Sequence, residues 1–153
     1  MTEQPDFVYV TYIQATPERI WDALTQPKFT REYWGHDLVS DWQKGSRWAH
    51  HKPDDPNGNR MEGTVVESDR PRRLVFTWGR AESAATPDAQ SLVTYELEQF
   101  PDTVRLTVTH GRFGADEKMR KGISGGWPRV LAGLKSFLET GKAPDIWAAP
   151  VTK

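Results

Sequence analysis

The sequence contains no cysteine, which excludes disulfides, zinc thiolates and a thiol nucleophile. A chain without thiols fits the reducing cytoplasm, where this one is expected to reside. It has no apolar run longer than a few residues, so no membrane span is expected. Met1 to Asp6 is polar and lacks the basic-then-apolar order of a signal peptide. Charge of one sign is also missing: 20 Lys and Arg stand against 21 Asp and Glu, for a net charge of −1. Nucleic acid and anionic membranes favour a clustered basic face, because counterion release drives that binding. None is visible, and no nucleic-acid partner is expected. Repeats, low-complexity tracts and internal linkers are absent, so residues 1–153 read as a single soluble domain.

What the chain has in abundance is tryptophan, seven in 153 residues. Trp supplies a large apolar area with one N–H, which suits cores and ligand pockets equally.

The periodicity changes twice along the chain. Phe7 to Gln14 is rich in β-branched and aromatic residues and reads as a strand. Thr16 then caps a helix that has Pro17 at its first position and Ile20, Trp21 and Leu24 on one face. Pro27 breaks this helix, and Phe29 to Trp34 reads as a second short one ended by Gly35. From there to about residue 110 the period is two. Leu38 to Trp42 and Ser46 to His51 flank a tight turn at Gln43-Lys44-Gly45. Lys52 to Asn59 is a loop by its prolines and glycine. Met61 to Ser68 and Arg72 to Trp78 are joined at Asp69-Arg70-Pro71, and Gly79 to Gln90 reads as a long mobile loop. Ser91 to Gln99 and Thr103 to His110 form the last hairpin. Beyond Gly111, Trp127, Val130, Leu131, Leu134, Phe137 and Leu138 make one helical stripe, ended by Gly141 and Pro144. Pro in a helix interior costs about 3 kcal/mol or more, so this helix is expected to start near Trp127-Pro128. A looser helical segment, Asp116 to Ile123, precedes it, with a hinge at Gly125-Gly126.

The order strand, two helices, six strands, long helix is that of the helix-grip fold of Bet v 1-like and START-like domains. This is an α+β fold in which a curved antiparallel sheet of about seven strands is closed by a long C-terminal helix. Ala15-Thr16-Pro17-Glu18 with Ile20-Trp21, and Pro27 followed by Trp34, resemble the opening of the family named after the activator of Hsp90 ATPase. Gly63, Val65 and Glu67, then Pro71, Leu74, Phe76, Thr77 and Trp78, resemble its middle block. Thr103, Leu106, Thr107 and His110, then Gly126-Trp127, Leu131, Leu134, Leu138 and Gly141, resemble its close. The likeness covers about residues 7–141 and leaves a tail, 142–153. Lys44-Gly45 in place of a Gly pair, Gly111 after the last-strand His, and Pro128 depart from the family pattern. The eukaryotic cochaperone carries a further N-terminal domain for which 153 residues leave no room.

The resemblance implies a cavity between the sheet and the closing helix that holds a small apolar or aromatic ligand. Strand alternation supplies its candidate walls: Trp48, His50, Phe76, Trp78, Tyr95 and His110 from the sheet, Trp127 and Leu131 from the helix, Tyr33 and Trp34 at the mouth. Core packing is the ordinary role of such stripes, and both readings stay open. His110 reads equally as a structural imidazole bonded to a carbonyl.

A second reading is an enzyme of the cyclase or hydrolase type on a hydrophobic, polyketide-like substrate, with His110, His50 and Glu67 as the only nominees for acid–base work. No paired acid and base, nucleophile elbow or phosphate loop is present. A third is an accessory protein of stress responses or of Hsp90. No cofactor or metal is expected: His50 and His51 point to opposite strand faces, so only His36, Asp37 or His110 could complete a set with one of them. Monomer and homodimer remain equally open.

Overall fold

A computed structural model of the chain describes residues 3–51 and 61–152; the loop expected at 52–59 lies outside these. The elements are β1 (Phe7–Ile13), α1 (Pro17–Thr25), α2 (Pro27–Tyr33), β2 (Asp37–Val39), β3 (Arg47–His51), β4 (Met61–Asp69), β5 (Arg73–Arg80), β6 (Ser91–Gln99), β7 (Val104–Gly111) and α3 (Glu117–Thr140). The seven strands form one antiparallel sheet in the order β1-β7-β6-β5-β4-β3-β2. The two ends of the sheet are therefore β1 and β2, which are consecutive in the chain. Helices α1 and α2 carry the backbone from one edge to the other. A bulge between Val65 and Glu67 breaks the β4–β5 register and adds local bend and twist. This is the helix-grip architecture, a curled half-barrel under a long C-terminal helix.

The local chemistry explains the helical starts. Thr16 Oγ1 accepts from the Arg19 N–H, 3.2 Å away, and Pro17 occupies the first turn. Both satisfy the demands of a helix N-terminus, where donors are orphaned and Pro loses nothing. Helix α2 starts at Pro27, two residues before the expected Phe29, again with the proline in its first turn but without a side-chain cap.

Three expectations need correction. The strand expected over Leu38 to Trp42 ends at Val39, and residues 40–46 form a longer connection than a tight turn. Trp42 has φ of 56°, a conformation costly for a bulky side chain. Its indole N–H reaches inward to the carbonyl of Thr25, the last residue of α1, at 2.8 Å, and its ring packs on Trp48 and Phe76. The helix-end carbonyl and the aromatic contacts offset the strained backbone.

The stretch Gly79–Gln90 is not one long loop. β5 runs on to Arg80, two 3-10 turns follow at Ala81–Ser83 and Pro87–Ala89, and Gln90 is buried. Its side chain accepts from the Thr77 hydroxyl and donates to the Glu62 carbonyl and to Ser83 Oγ.

Finally, α3 is continuous from Glu117 to Thr140 with Pro128 inside it, so the helix neither begins at Trp127 nor breaks at a hinge. Asp116 caps its start by accepting from the Met119 N–H at 2.9 Å. The lost N–H of Pro128 is one bond, whereas Ile123, Trp127, Val130, Leu131, Leu134 and Leu138 all pack on the same core. Burial worth about 1.5–3 kcal/mol per large side chain outweighs the Pro defect.

Gly63 on β4 marks the tightest approach in the sheet. A Cβ there would lie 1.9 Å from the Thr77 carbonyl oxygen and 2.5 Å from Trp48 Nε1, two atoms already hydrogen-bonded to each other at 2.7 Å. Gly63→Ala is expected to destabilise the fold by about 3 kcal/mol through forced backbone displacement, measured as a drop in the chemical-denaturation midpoint.

Candidate functional site

Alternation on β5, β6 and β7 places Phe76, Trp78, Tyr95 and His110 on the concave face, and α3 lays Trp127 across them. The rings meet at close range: Trp127 lies with its centroid 5.9 Å from Trp78, 6.0 Å from Tyr95 and 6.1 Å from His110. Trp34, at the end of α2, stacks on Trp78 at 6.1 Å and meets Trp127 edge-on at 5.6 Å. Helix α2 is held against β2 by a two-pronged pair, Arg31 Nε to Asp37 Oδ1 at 2.8 Å and Nη2 to Oδ2 at 2.9 Å. The Arg31 guanidinium holds the Asp37 carboxyl below its ordinary range.

His110 is fully buried and sits at the middle of a hydrogen-bond chain. The Trp127 indole N–H donates to Nδ1 at 3.0 Å. An indole can only donate, so Nδ1 carries no proton and the neutral ring holds its hydrogen on Nε2. Nε2 lies 2.8 Å from Ser91 Oγ and donates to it, and that hydroxyl donates on to the Trp78 carbonyl at 2.6 Å. Burial pushes the imidazole down to about 3. Both ring nitrogens are engaged, so the geometry leaves His110 no lone pair for a substrate.

The other candidates separate. Tyr33, Trp48, Phe76, Tyr95 and Leu131 lie in the core with at most 2% exposure. Tyr33 donates its hydroxyl to the Ala23 carbonyl at 2.8 Å. His50 lies away from His110, across from Leu38 on β2, with its ring 4.0 Å from that of His36. Burial and the neighbouring His36 and His51 lower it to about 4. Glu67 is on the outer surface, 2.6 Å from Arg73 Nε. Among the described residues no group of three or more His, Asp or Glu could hold a metal ion.

Where α3, α2 and the C-terminal tail converge, Trp34, Trp78, Ile123, Trp127, Val130 and Trp147 surround an apolar cleft of about 140 Å³. Gly122 and Gly126, one helical turn apart, form its helix side. The tail lies back along α3: Arg129 donates to the Ile146 carbonyl at 3.0 Å, and the Trp147 indole N–H donates to the Trp34 carbonyl at 3.0 Å. On the far side of Trp78 a more polar cleft of about 350 Å³ is bordered by Arg80, Glu82, Gln90, Arg112 and Asp116. Its Gln90 and Ser91 side chains are bonded within the protein.

Ser91, Gly122, Gly126 and Trp147 were not anticipated. The glycines carry a readable signal, small residues at i and i+4 on one helix face. Trp147 lies in the tail beyond the family-like stretch 7–141, and its docking depends on a contact distant in sequence, the Trp34 carbonyl.

The model of the activator of Hsp90 ATPase homolog 1-like proteins matches residues 14–139. The chain belongs to this family. Solved structures agree over nearly the whole chain. A Mesorhizobium loti protein is 26% identical with a TM-score of 0.75, covering 88% of this chain and 97% of that one. The Aha1 dimer from Colwellia psychrerythraea is 20% identical with a TM-score of 0.76, covering 92% and 100%. CalU16 from Micromonospora echinospora is 22% identical with a TM-score of 0.69, covering 89% and 77%. At the identities of the last two, the likeness is one of fold. No curated protein matches the chain. Among the described residues no helix is long and apolar enough to cross a membrane.

In the unfolded chain both imidazoles titrate near 6.5, whereas the folded protein holds His110 neutral to about 3 and His50 to about 4. The unfolded state binds more protons between those values, so stability is expected to fall as pH drops from about 6.5 toward 4. The full His110 shift corresponds to on the order of 5 kcal/mol. A His110→Gln variant is expected to show a flatter plot of denaturation midpoint against pH; a slope equal to the wild type's would refute the neutral, buried assignment.

Proposed function

We propose that this protein binds a small apolar ligand, of the size of one aromatic ring, in the cleft formed by Trp34, Trp78, Trp127 and Trp147. The observation that carries this reading is the cleft's chemistry: four indole rings and two aliphatic side chains, with glycines in place of side chains on the helix wall. An enclosed apolar cavity of about 150 Å³ admits benzene, and this cleft has about that volume, with its Trp147 wall half-exposed. Sites for larger organic ligands occupy about 300–1,000 Å³. The interior between sheet and helix is filled by the protein's own rings, so a polyketide-sized guest would require Trp127 and α3 to move together.

Binding ranks above catalysis for a chemical reason. His110 has both nitrogens engaged, and Glu67 is paired on the outer surface. Of the three acid–base nominees only His50 is left, remote from the cleft.

The test is titration with toluene, read as a change in tryptophan emission and a rise in thermal midpoint. Gly126→Leu is the informative variant. A Cβ at this position meets only Trp147 Cη2 at 4.0 Å, so a leucine extends into the cleft while raising helix propensity by about 1 kcal/mol. The wild type is expected to respond to millimolar toluene and the variant to lose the response without losing stability. Equal responses in the two proteins would place the ring elsewhere.

A further inference from the structure

On the outer face of the sheet, opposite charges close on one another: Arg73 joins Glu67 and Glu96, and Arg105 joins Glu98. The polar cleft beside Trp78 is different. Two guanidiniums, Arg80 and Arg112, and two carboxylates, Glu82 and Asp116, line it. Among the described residues none of these four forms an ion pair. Each comes from a different place in the fold: Arg80 ends β5, Glu82 sits in the first 3-10 turn, Arg112 follows β7 and Asp116 caps α3.

Two of the four are held in place by the protein. Arg112 donates from Nε to the Gln90 carbonyl at 2.8 Å and from Nη2 to the Pro87 carbonyl at 2.9 Å. Its backbone has φ of 60°, a costly conformation that persists only where the surroundings enforce it. The guanidinium is thus fixed with Nη1 uncommitted. Asp116 is fixed by capping α3 through Oδ1, which leaves Oδ2 open. Arg80 and Glu82 are exposed. The floor between them is apolar: Trp78 and Phe113 border the cleft, and the Phe113 ring is packed 4.9 Å from that of His110. Met119 adds an adaptable thioether from α3. A ligand with one charge would meet its like charge across the rim, whereas one with both charges and an apolar side chain matches rim and floor together.

We propose that this cleft is a second site, for a small zwitterion with an apolar side chain, of the class of the larger apolar α-amino acids. The carboxylate lies on the Arg80 and Arg112 side, the ammonium on the Glu82 and Asp116 side, and the side chain on Trp78 and Phe113. At about 350 Å³ the cleft falls within the range of small-molecule sites. It shares only Trp78 with the apolar cleft, so the proposal stands apart from the binding of a plain ring there.

Calorimetric titration at low ionic strength with three probes separates the charges: L-phenylalanine, 3-phenylpropionate, which lacks the ammonium, and 2-phenylethylamine, which lacks the carboxylate. The wild type is expected to bind phenylalanine about fivefold more tightly than either analogue, the worth of one partly exposed ion pair. Arg80→Gln and Glu82→Gln remove side chains with no ion-pair partner among the described residues, so both variants are expected to keep the wild-type thermal midpoint. Arg80→Gln is expected to weaken phenylalanine and phenylpropionate about fivefold and to leave phenylethylamine unchanged. Glu82→Gln is expected to weaken phenylalanine and phenylethylamine and to spare phenylpropionate. Phenylpropionate binding as tightly as phenylalanine overturns the proposal in favour of a plain anion site, and phenylethylamine doing so overturns it in favour of a cation site. Phenylalanine binding that ignores both variants, or that vanishes in Gly126→Leu, moves the probe out of this cleft and also overturns it. No binding of phenylalanine at millimolar concentration removes the second site, while the toluene response of the apolar cleft is read separately.

Discussion

The hydrogen bond from the Trp127 indole to His110 Nδ1 is the contact on which the closed form of this fold depends. It is a polar bond inside an aromatic core, and it joins the closing helix to the last strand where both are buried. Apolar packing alone tolerates sliding of one surface over another. A single donor aimed at a single lone pair does not, so this bond sets the register of α3 on the sheet. It also decides the proton position on His110, and through Ser91 it reaches the backbone of β5. Four elements, α3, β7, β6 and β5, are thereby joined through one tautomer.

The same bond changes what His110 means. A histidine at the end of an apolar strand face is a natural nominee for chemistry when only its neighbours in sequence are known. Its ring partners lie 17 and 19 residues away, and no spacing rule connects them. The fold itself was far more legible. Local signals such as Thr16-Pro17, the turn at Asp69-Arg70-Pro71 and the 3.6-residue stripe up to Leu138 each report on contacts within a few positions, and they define the order of elements well.

The misreadings share a physical cause. Trp42, Pro128 and the 79–90 segment each violate a local preference because a distant group makes the violation worthwhile. Trp42 closes the end of α1 and fills space beside Trp48. Pro128 rides on a helix whose two halves bury the same stripe. Gln90 secures the end of its segment through three partners on β4, β5 and the first 3-10 turn. Alternation likewise named the right face of the sheet but could not distinguish rings that border open space from rings that fill it. That distinction depends on the tail, which no periodicity reaches.

The docking of Ile146 and Trp147 has a bearing on how such a domain diversifies. The segment shared with the family ends at residue 139, and the tryptophan that completes the cleft comes after it. The buried rings beneath the cleft belong to the stretch 14–139, and one wall of its opening, Trp147, lies beyond that stretch. A change at this half-exposed side chain would reshape the opening while leaving the rings under it in place.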